Sequence, residues 1–178
     1  MNYYFIYGPD LMNVVQQYAG MTGTPEMPPM WALGYHQCKW SYFPEKQVRE
    51  IAQEFRDRGI PCDAIYLDID YMEGFPCFTW SKDGFPKPAK LMGKKKKKGF
   101  KTIVIIDPGI KIDPEYWVYQ EGLKNDYFCK RADGDLMEGD VWPGACNFPD
   151  FTNSDVRRWW SGLFEEMIRL GVRGVWND

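Results

Sequence analysis

Histidine is almost missing from this 178-residue chain; His36 is the only one. The five cysteines, at 38, 62, 77, 129 and 146, form no Cys-x-x-Cys pair. Together these two shortages exclude a zinc constellation, and no metal or cofactor is expected. No Gly-x-Gly-x-x-Gly fingerprint is present, the stretch from Gly93 to Gly99 is not a Walker loop, and no Gly-x-Ser-x-Gly elbow appears. Dinucleotide binding, P-loop chemistry and the serine-hydrolase elbow therefore drop out. No apolar run is long enough to span a bilayer, and the N-terminus lacks the basic-then-apolar plan of a signal peptide. The chain has no basic excess either: its net charge is −3. Neither a membrane nor a nucleic-acid partner is expected. Scattered cysteines in odd number point to reduced thiols and a cytoplasmic location.

Aromatic residues, by contrast, are abundant, at 17% of the chain with eight tryptophans. Core packing is one use for them. A sugar-binding cleft is another, since Trp faces stack on the apolar faces of pyranose rings, and several Trp here fall at strand ends or in loops.

Residues 2–7 read as a strand, followed by a short helix from Leu11 to Ala19 and a Pro- and Gly-broken linker over 20–30. A βα rhythm then begins. Ala32 to Trp40 is an expected strand. After Pro44, Val48, Ile51, Ala52 and Phe55 follow helical spacing until Gly59. Strands are expected at Asp63–Asp70 and Lys101–Asp107, with a helix at Pro86–Lys98 between them. A long loop region follows over 108–152, with helical turns near Pro114–Glu121. A helix capped by Asn153 runs over 154–170, and a last strand ends at Asp178. Alternation of this kind implies an α/β fold with a parallel sheet and right-handed crossovers. The run Lys94 to Lys98 has no apolar face and reads as a solvated helix end, with a phosphate or membrane patch as the alternative.

Three expected strands finish in carboxylates: Asp68 and Asp70 on the second, Asp107 on the third, Asp178 on the last. Strand periodicity puts Asp68 and Asp70 on one face, and likewise Trp176 and Asp178. Carboxylates grouped at one end of a sheet need solvent, a cation or hydrogen-bond donors. Helix capping or loop anchoring is the structural alternative for the pair Asp68 and Asp70. Carboxylates beside aromatics suit glycoside hydrolysis. A Mg²⁺-dependent phosphotransferase built on Asp68 and Asp70 is a rival, weakened by the Tyr71-Met72 that follows. His36 reads as a supporting residue, not a base.

Several segments occur in the order of one known family: Tyr3 to Pro9, Pro28 to Gln37, Leu67-Asp68-Ile69-Asp70-Tyr71-Met72, Phe78-Thr79-Trp80, Asp107-Pro108-Gly109-Ile110, Val141-Trp142-Pro143-Gly144, Phe148 to Asn153, and Gly174-Val175-Trp176-Asn177-Asp178. On these the chain resembles glycoside hydrolase family thirty-one, the α-glucosidase group. The resemblance implies a (β/α)8 TIM barrel preceded by a β-sandwich domain. Residues 1–30 would be the exit from that sandwich and its linker, and residues 31–178 the first half of the barrel, about four strands.

It also implies a retaining α-glucosidase that releases α-linked glucose from the non-reducing end of oligosaccharides. Asp178 would be the nucleophile and Asp68 the residue binding the sugar. Ile69, Ile105, Trp142, Trp176 and Trp40 would wall that subsite, with Asp107 at its floor. The Asp-x-Asp-Tyr-Met pattern leans toward glucosidase over xylosidase. The family's acid/base lies on a later strand, so the partner of this chain would be the remainder of the same polypeptide, and the chain would end inside its own active site. An inactive, sugar-binding half-barrel is the alternative.

Overall fold

A computed structural model describes residues 2–178. The chain falls into two compact units, one up to Leu33 and one from Gly34. In the first, α1 (Leu11–Thr22) starts where the Asp10 carboxylate accepts a hydrogen bond from the Asn13 amide at 2.9 Å. It runs past Ala19, the expected end, because no breaker stands before Gly23 except Gly20, and one glycine only weakens a helix. Residues 2–7 were expected as a strand but form none among the described residues. Alternating aromatics make a strand only where a ladder partner exists.

The second unit opens with β1 (His36–Gln37), α2 (Glu45–Asp57), β2 (Ala64–Leu67), α3 (Pro88–Lys97) and β3 (Lys101–Ile106). An inserted segment follows, made of β4 (Ile110–Lys111), α4 (Trp117–Lys124), β5 (Glu138–Val141) and β6 (Gly144–Asn147). Two short helices, α5 (Ser154–Leu163) and α6 (Glu165–Leu170), lead into β7 (Gly174–Asn177). Strands β1, β2, β3 and β7 pair in that order, all parallel. With a helical crossover between each pair, these are consecutive βα units, as the part-barrel implied by the resemblance requires.

Helix α2 shows how the sequence seats these crossovers. Val48, Ala52 and Phe55 are its buried residues, and they pack with Ile65, Leu67, Leu91 and Val104 in the main core. Arg56, in its last turn, donates from Nε to the Lys98 carbonyl and from a terminal nitrogen to the Cys62 carbonyl, both at 2.9 Å. Its guanidinium also lies 3.7 Å from the centroid of the Phe100 ring. One side chain thus ties the end of α2 to the starts of β2 and β3. After α6, Gly171 takes a left-handed conformation (φ 112°), and a Cβ there would stand 2.9 Å from Met92 Cβ.

Five further expectations need correction. The strand expected over Ala32 to Trp40 is only His36–Gln37, and Met30–Leu33 forms a 3₁₀ turn. Strand β2 stops at Leu67, not Asp70: the Asp68 carboxylate accepts from the Ile69 amide at 2.8 Å and opens a single 3₁₀ turn, Ile69–Tyr71. A side chain that bonds its neighbouring backbone competes with the ladder. Asp68 and Asp70 therefore do not share a strand face. The expected helix over 154–170 is interrupted at Phe164, two residues after Gly162, where the Phe164 ring packs edge-on to Phe78 at 5.1 Å. The region 108–152 is not loop but a small antiparallel sheet in the order β4-β6-β5, with its own core of Ile110, Tyr116, Val118, Tyr119, Phe128 and Leu163. Lastly, the lysine run is not all solvated. Lys95 falls four residues after Leu91, on the sheet-facing side of α3, and is 1% exposed.

Candidate active site

Alternation along β2 sends Ile65 and Leu67 to the helices, where both join the main core, and Ala64, Tyr66 and then Asp68 to the other face. Neighbours in a parallel ladder share a face, so the pairings Tyr66↔Ile103 and Ile103↔Gly174 continue that face across the sheet. One step further toward the carboxyl ends, Ile105 pairs with Trp176, level with Asp68. One step beyond that, past the pair Ile106↔Asn177, stand Asp107 and Asp178. Three adjacent strands thus each end in a carboxylate, spaced by about 4.8 Å per strand.

The backbone fixes each of these acids. The Asp178 amide donates to the Ile106 carbonyl at 3.1 Å, which prolongs the β3–β7 ladder by one residue. Asp107 accepts from the Gly109 amide through Oδ1 at 3.0 Å, and its carbonyl accepts from the Cys77 thiol at 2.7 Å. Asp68 caps the turn that follows β2, so the structural alternative for it is realised. Asp70 lies inside that turn. The Asp68 carboxyl is held above its ordinary pKa: burial is the main cause, opposed by the Ile69 amide and reinforced by the negative charges of Asp70 and Asp178. The charge of Asp178 therefore reaches Asp68 although β3 lies between their strands.

Aromatic rings flank the carboxylates. Val141 and Gly144 pair across the β5–β6 hairpin, leaving Trp142-Pro143 as a two-residue tip. Trp142 meets Trp40, from the β1–α2 connection, with centroids 5.7 Å apart, and Phe75 at 6.5 Å. A Cβ on Gly109 would lie 2.5 Å from a Val141 methyl and 3.4 Å from Asp107 Oδ1, so the hairpin end rests against the Asp107 turn. Below, Trp176 packs edge-on to Tyr66 at 6.3 Å, and the Tyr66 hydroxyl lies 3.2 Å from His36 Nδ1. Ile69 and Ile105 are both 2% exposed and sit in the main core. Trp40 and Trp142, in contrast, are 70% and 52% exposed.

The structure thus gathers Asp68, Asp107, Asp178, Trp176, Ile105, Trp142 and Trp40 at the carboxyl end of the sheet. It adds residues not singled out from sequence as lining: Tyr66, Phe75 and Cys38. The Cys38 thiol is pushed up by burial and then by the charge of Asp68, which places it beside that acid. Tyr66 was legible, two residues before Asp68 on one strand. Phe75 carried no signal, because its place depends on a hairpin folded from a distant segment.

The chain is similar to known proteins over nearly its whole length. The model of the Glycosyl hydrolases family 31 TIM-barrel domain matches residues 25–178. The chain belongs to glycoside hydrolase family thirty-one. Among its relatives in that family, alpha-glucosidase 2 of Bacillus thermoamyloliquefaciens is 49% identical over 178 residues, which is 100% of this chain and 23% of that protein. The family 31 alpha-glucosidase structure from Bacteroides thetaiotaomicron superposes with a TM-score of 0.85 at 48% identity, covering 93% of this chain and 28% of that one. A DNJ-bound structure of the glucosidase II alpha subunit gives a TM-score of 0.89 at 36% identity, covering 96% and 19%. The family 31 barrel segment seen here spans about a fifth to a quarter of the length of the curated relatives it matches.

Proposed function

We propose that this chain forms the nucleophile half of a retaining α-glucosidase, with the glucose unit of an α-linked oligosaccharide held at the carboxyl ends of β2, β3 and β7. The observation that carries this is the placement of Asp178 beyond β7, in ladder with β3, within the field of Asp68 and level with Asp107. In the proposed reaction an Asp178 oxygen attacks the anomeric carbon as the bond to the leaving oxygen breaks. A carboxylic acid from the remainder of the polypeptide protonates that oxygen. Water then cleaves the glycosyl ester, with its proton returned to the same carboxylate, and the anomeric configuration is retained.

Asp68 accepts hydrogen bonds from sugar hydroxyls, and these strengthen as charge develops on the ring. Trp176 and Ile105 form the wall level with Asp68, and Trp142 with Trp40 forms the outer wall, with Ile69 behind Asp68 and Asp107 beside Asp178, one level nearer the mouth and not at the floor. We read residues 1–30 as the exit from a preceding β-sandwich domain.

The test is Asp178→Asn in the polypeptide that carries the complete barrel, assayed with an activated aryl α-glucoside. Turnover is expected to fall by about a thousandfold or more, as for removal of a nucleophile. Asp68 should also titrate lower in that variant, because one of the charges holding it up is gone. Turnover within tenfold of the parent would overturn the assignment.

A further inference from the structure

The lysine run contains one residue that behaves unlike the rest. Lys95 Nζ is buried and reaches the Ile65 carbonyl at 3.4 Å, long for such a bond, and this is its one hydrogen bond among the described residues. An ammonium group carries three donors, so two are left over. Lys95 also lines a cleft of about 350 Å³ between α2 and α3, together with Arg49, Ala52, Lys94, Lys97 and Lys98. Ala52 is 1% exposed, so the cleft reaches down to the core.

Every charged residue in that lining is a cation. Arg49 is paired with Glu45, and Lys98 bonds the neutral amide oxygen of Gln53. Lys94 and Lys97 take part in no ion pair among the described residues. A buried ammonium with one weak acceptor and no counter-charge is costly, and an anion in the cleft would offset that cost.

We propose that the cleft between α2 and α3 is a binding site for a small polyanion of the phosphate class, with the Lys95 ammonium as its buried contact and Arg49, Lys94, Lys97 and Lys98 as its rim. The site lies on the helical side of the sheet, since Ile65 faces the helices. It is therefore distinct from the carboxylate end, and a ligand there would not compete with a sugar. The cleft has room for inorganic phosphate or pyrophosphate and for a phosphate carried on a small sugar.

Calorimetric titration of the polypeptide with the complete barrel, at fixed ionic strength, tests this with inorganic phosphate, pyrophosphate and glucose 6-phosphate as probes. Saturable binding of at least one is expected. Tighter binding of pyrophosphate assigns the site to free phosphates, and tighter binding of glucose 6-phosphate assigns it to phosphorylated sugars. Lys95→Met should weaken binding about tenfold or more, the loss of a charge-assisted hydrogen bond. Lys96→Met, on the exposed side of the same helix, should change it by less than about twofold. Absence of saturable binding, or equal losses in the two variants, overturns the proposal. A measurement on the unsubstituted protein stands beside it: pulsed acetylation read by mass spectrometry. Bound pyrophosphate should protect the rim lysines Lys94 and Lys97 more than Lys96, and equal protection overturns the site.

Discussion

In a buffer without polyanions, Lys95→Met should stabilise the protein at low pH and lose that advantage as pH rises. Burial pushes the Lys95 pKa from the ordinary 10.5 down to about 7, with the charge of Cys62 opposing the fall. Arg49 from α2 and Lys94, Lys97 and Lys98 from α3 line the same cleft and are all positive, but the fall itself comes from burial. At about 1.4 kcal/mol per pH unit, the depression corresponds to on the order of 5 kcal/mol borne by the folded state wherever the amine is charged. The sign follows from proton counting. Between about pH 7 and 10.5 the unfolded chain keeps the proton and the folded chain has released it. The unfolded state binds more protons, so stability rises with pH across that window. Below pH 7 both states are charged and the whole penalty is present.

Methionine has a similar length, no charge and an adaptable stem, so it removes the penalty and sacrifices only the long bond to the Ile65 carbonyl, worth about 1 kcal/mol. The expected gain is roughly 2–4 kcal/mol at pH 6, shrinking toward zero near pH 10. Urea unfolding followed by tryptophan fluorescence at several pH values reads it as a shift in midpoint without a change in slope. A Lys95→Met protein that is less stable at pH 6, or whose stability runs parallel to that of the parent at all pH values, would refute the reasoning.

Other expectations follow from the site and the core. Asp68→Asn should lower kcat/KM by about ten- to a hundredfold through lost charge-assisted hydrogen bonds to the sugar, and an unchanged value in steady-state assays would count against the role. Trp142→Ala removes the ring that meets both Trp40 and Phe75. It should raise KM roughly five- to thirtyfold with little change in kcat, measured with an unactivated α-linked disaccharide. Gly171→Ala combines a left-handed backbone with a Cβ 2.9 Å from Met92 Cβ. It should cost about 1–3 kcal/mol, seen as a lower thermal midpoint.

Much of the barrel segment was legible in sequence because it rests on two short-range signals. The near-continuous apolar run of β3 marks a strand buried on both faces, and Val48, Ala52 and Phe55 mark a helix packed on one side. Asp178, Trp176 and Asp107 were placed by counting in twos from such strands. Counting failed at Asp68, because a carboxylate that can cap its own next amide ends the strand there, and periodicity does not register that competition. It failed again between 108 and 152. The two-residue turn Trp142-Pro143 lacks the Asn-Gly or Asp-Gly signature of a tight hairpin, and strands of two to four residues are too short for a pattern to emerge. Lys95 was missed for a different cause: composition outweighed position, although its spacing from Leu91 already put it on the inner side of α3.

The β5–β6 hairpin has a consequence for how the proposed sugar site can diversify. Its tip carries Trp142, yet among the described residues its strands pair only with one another and with β4, outside the parallel sheet. Lengthening, shortening or rewriting that tip would redraw the outer wall of the proposed sugar site without moving any strand that carries a carboxylate. Selectivity for linkage and chain length can therefore drift on an appendage while the chemistry stays pinned to the barrel, and selection on one need not disturb the other.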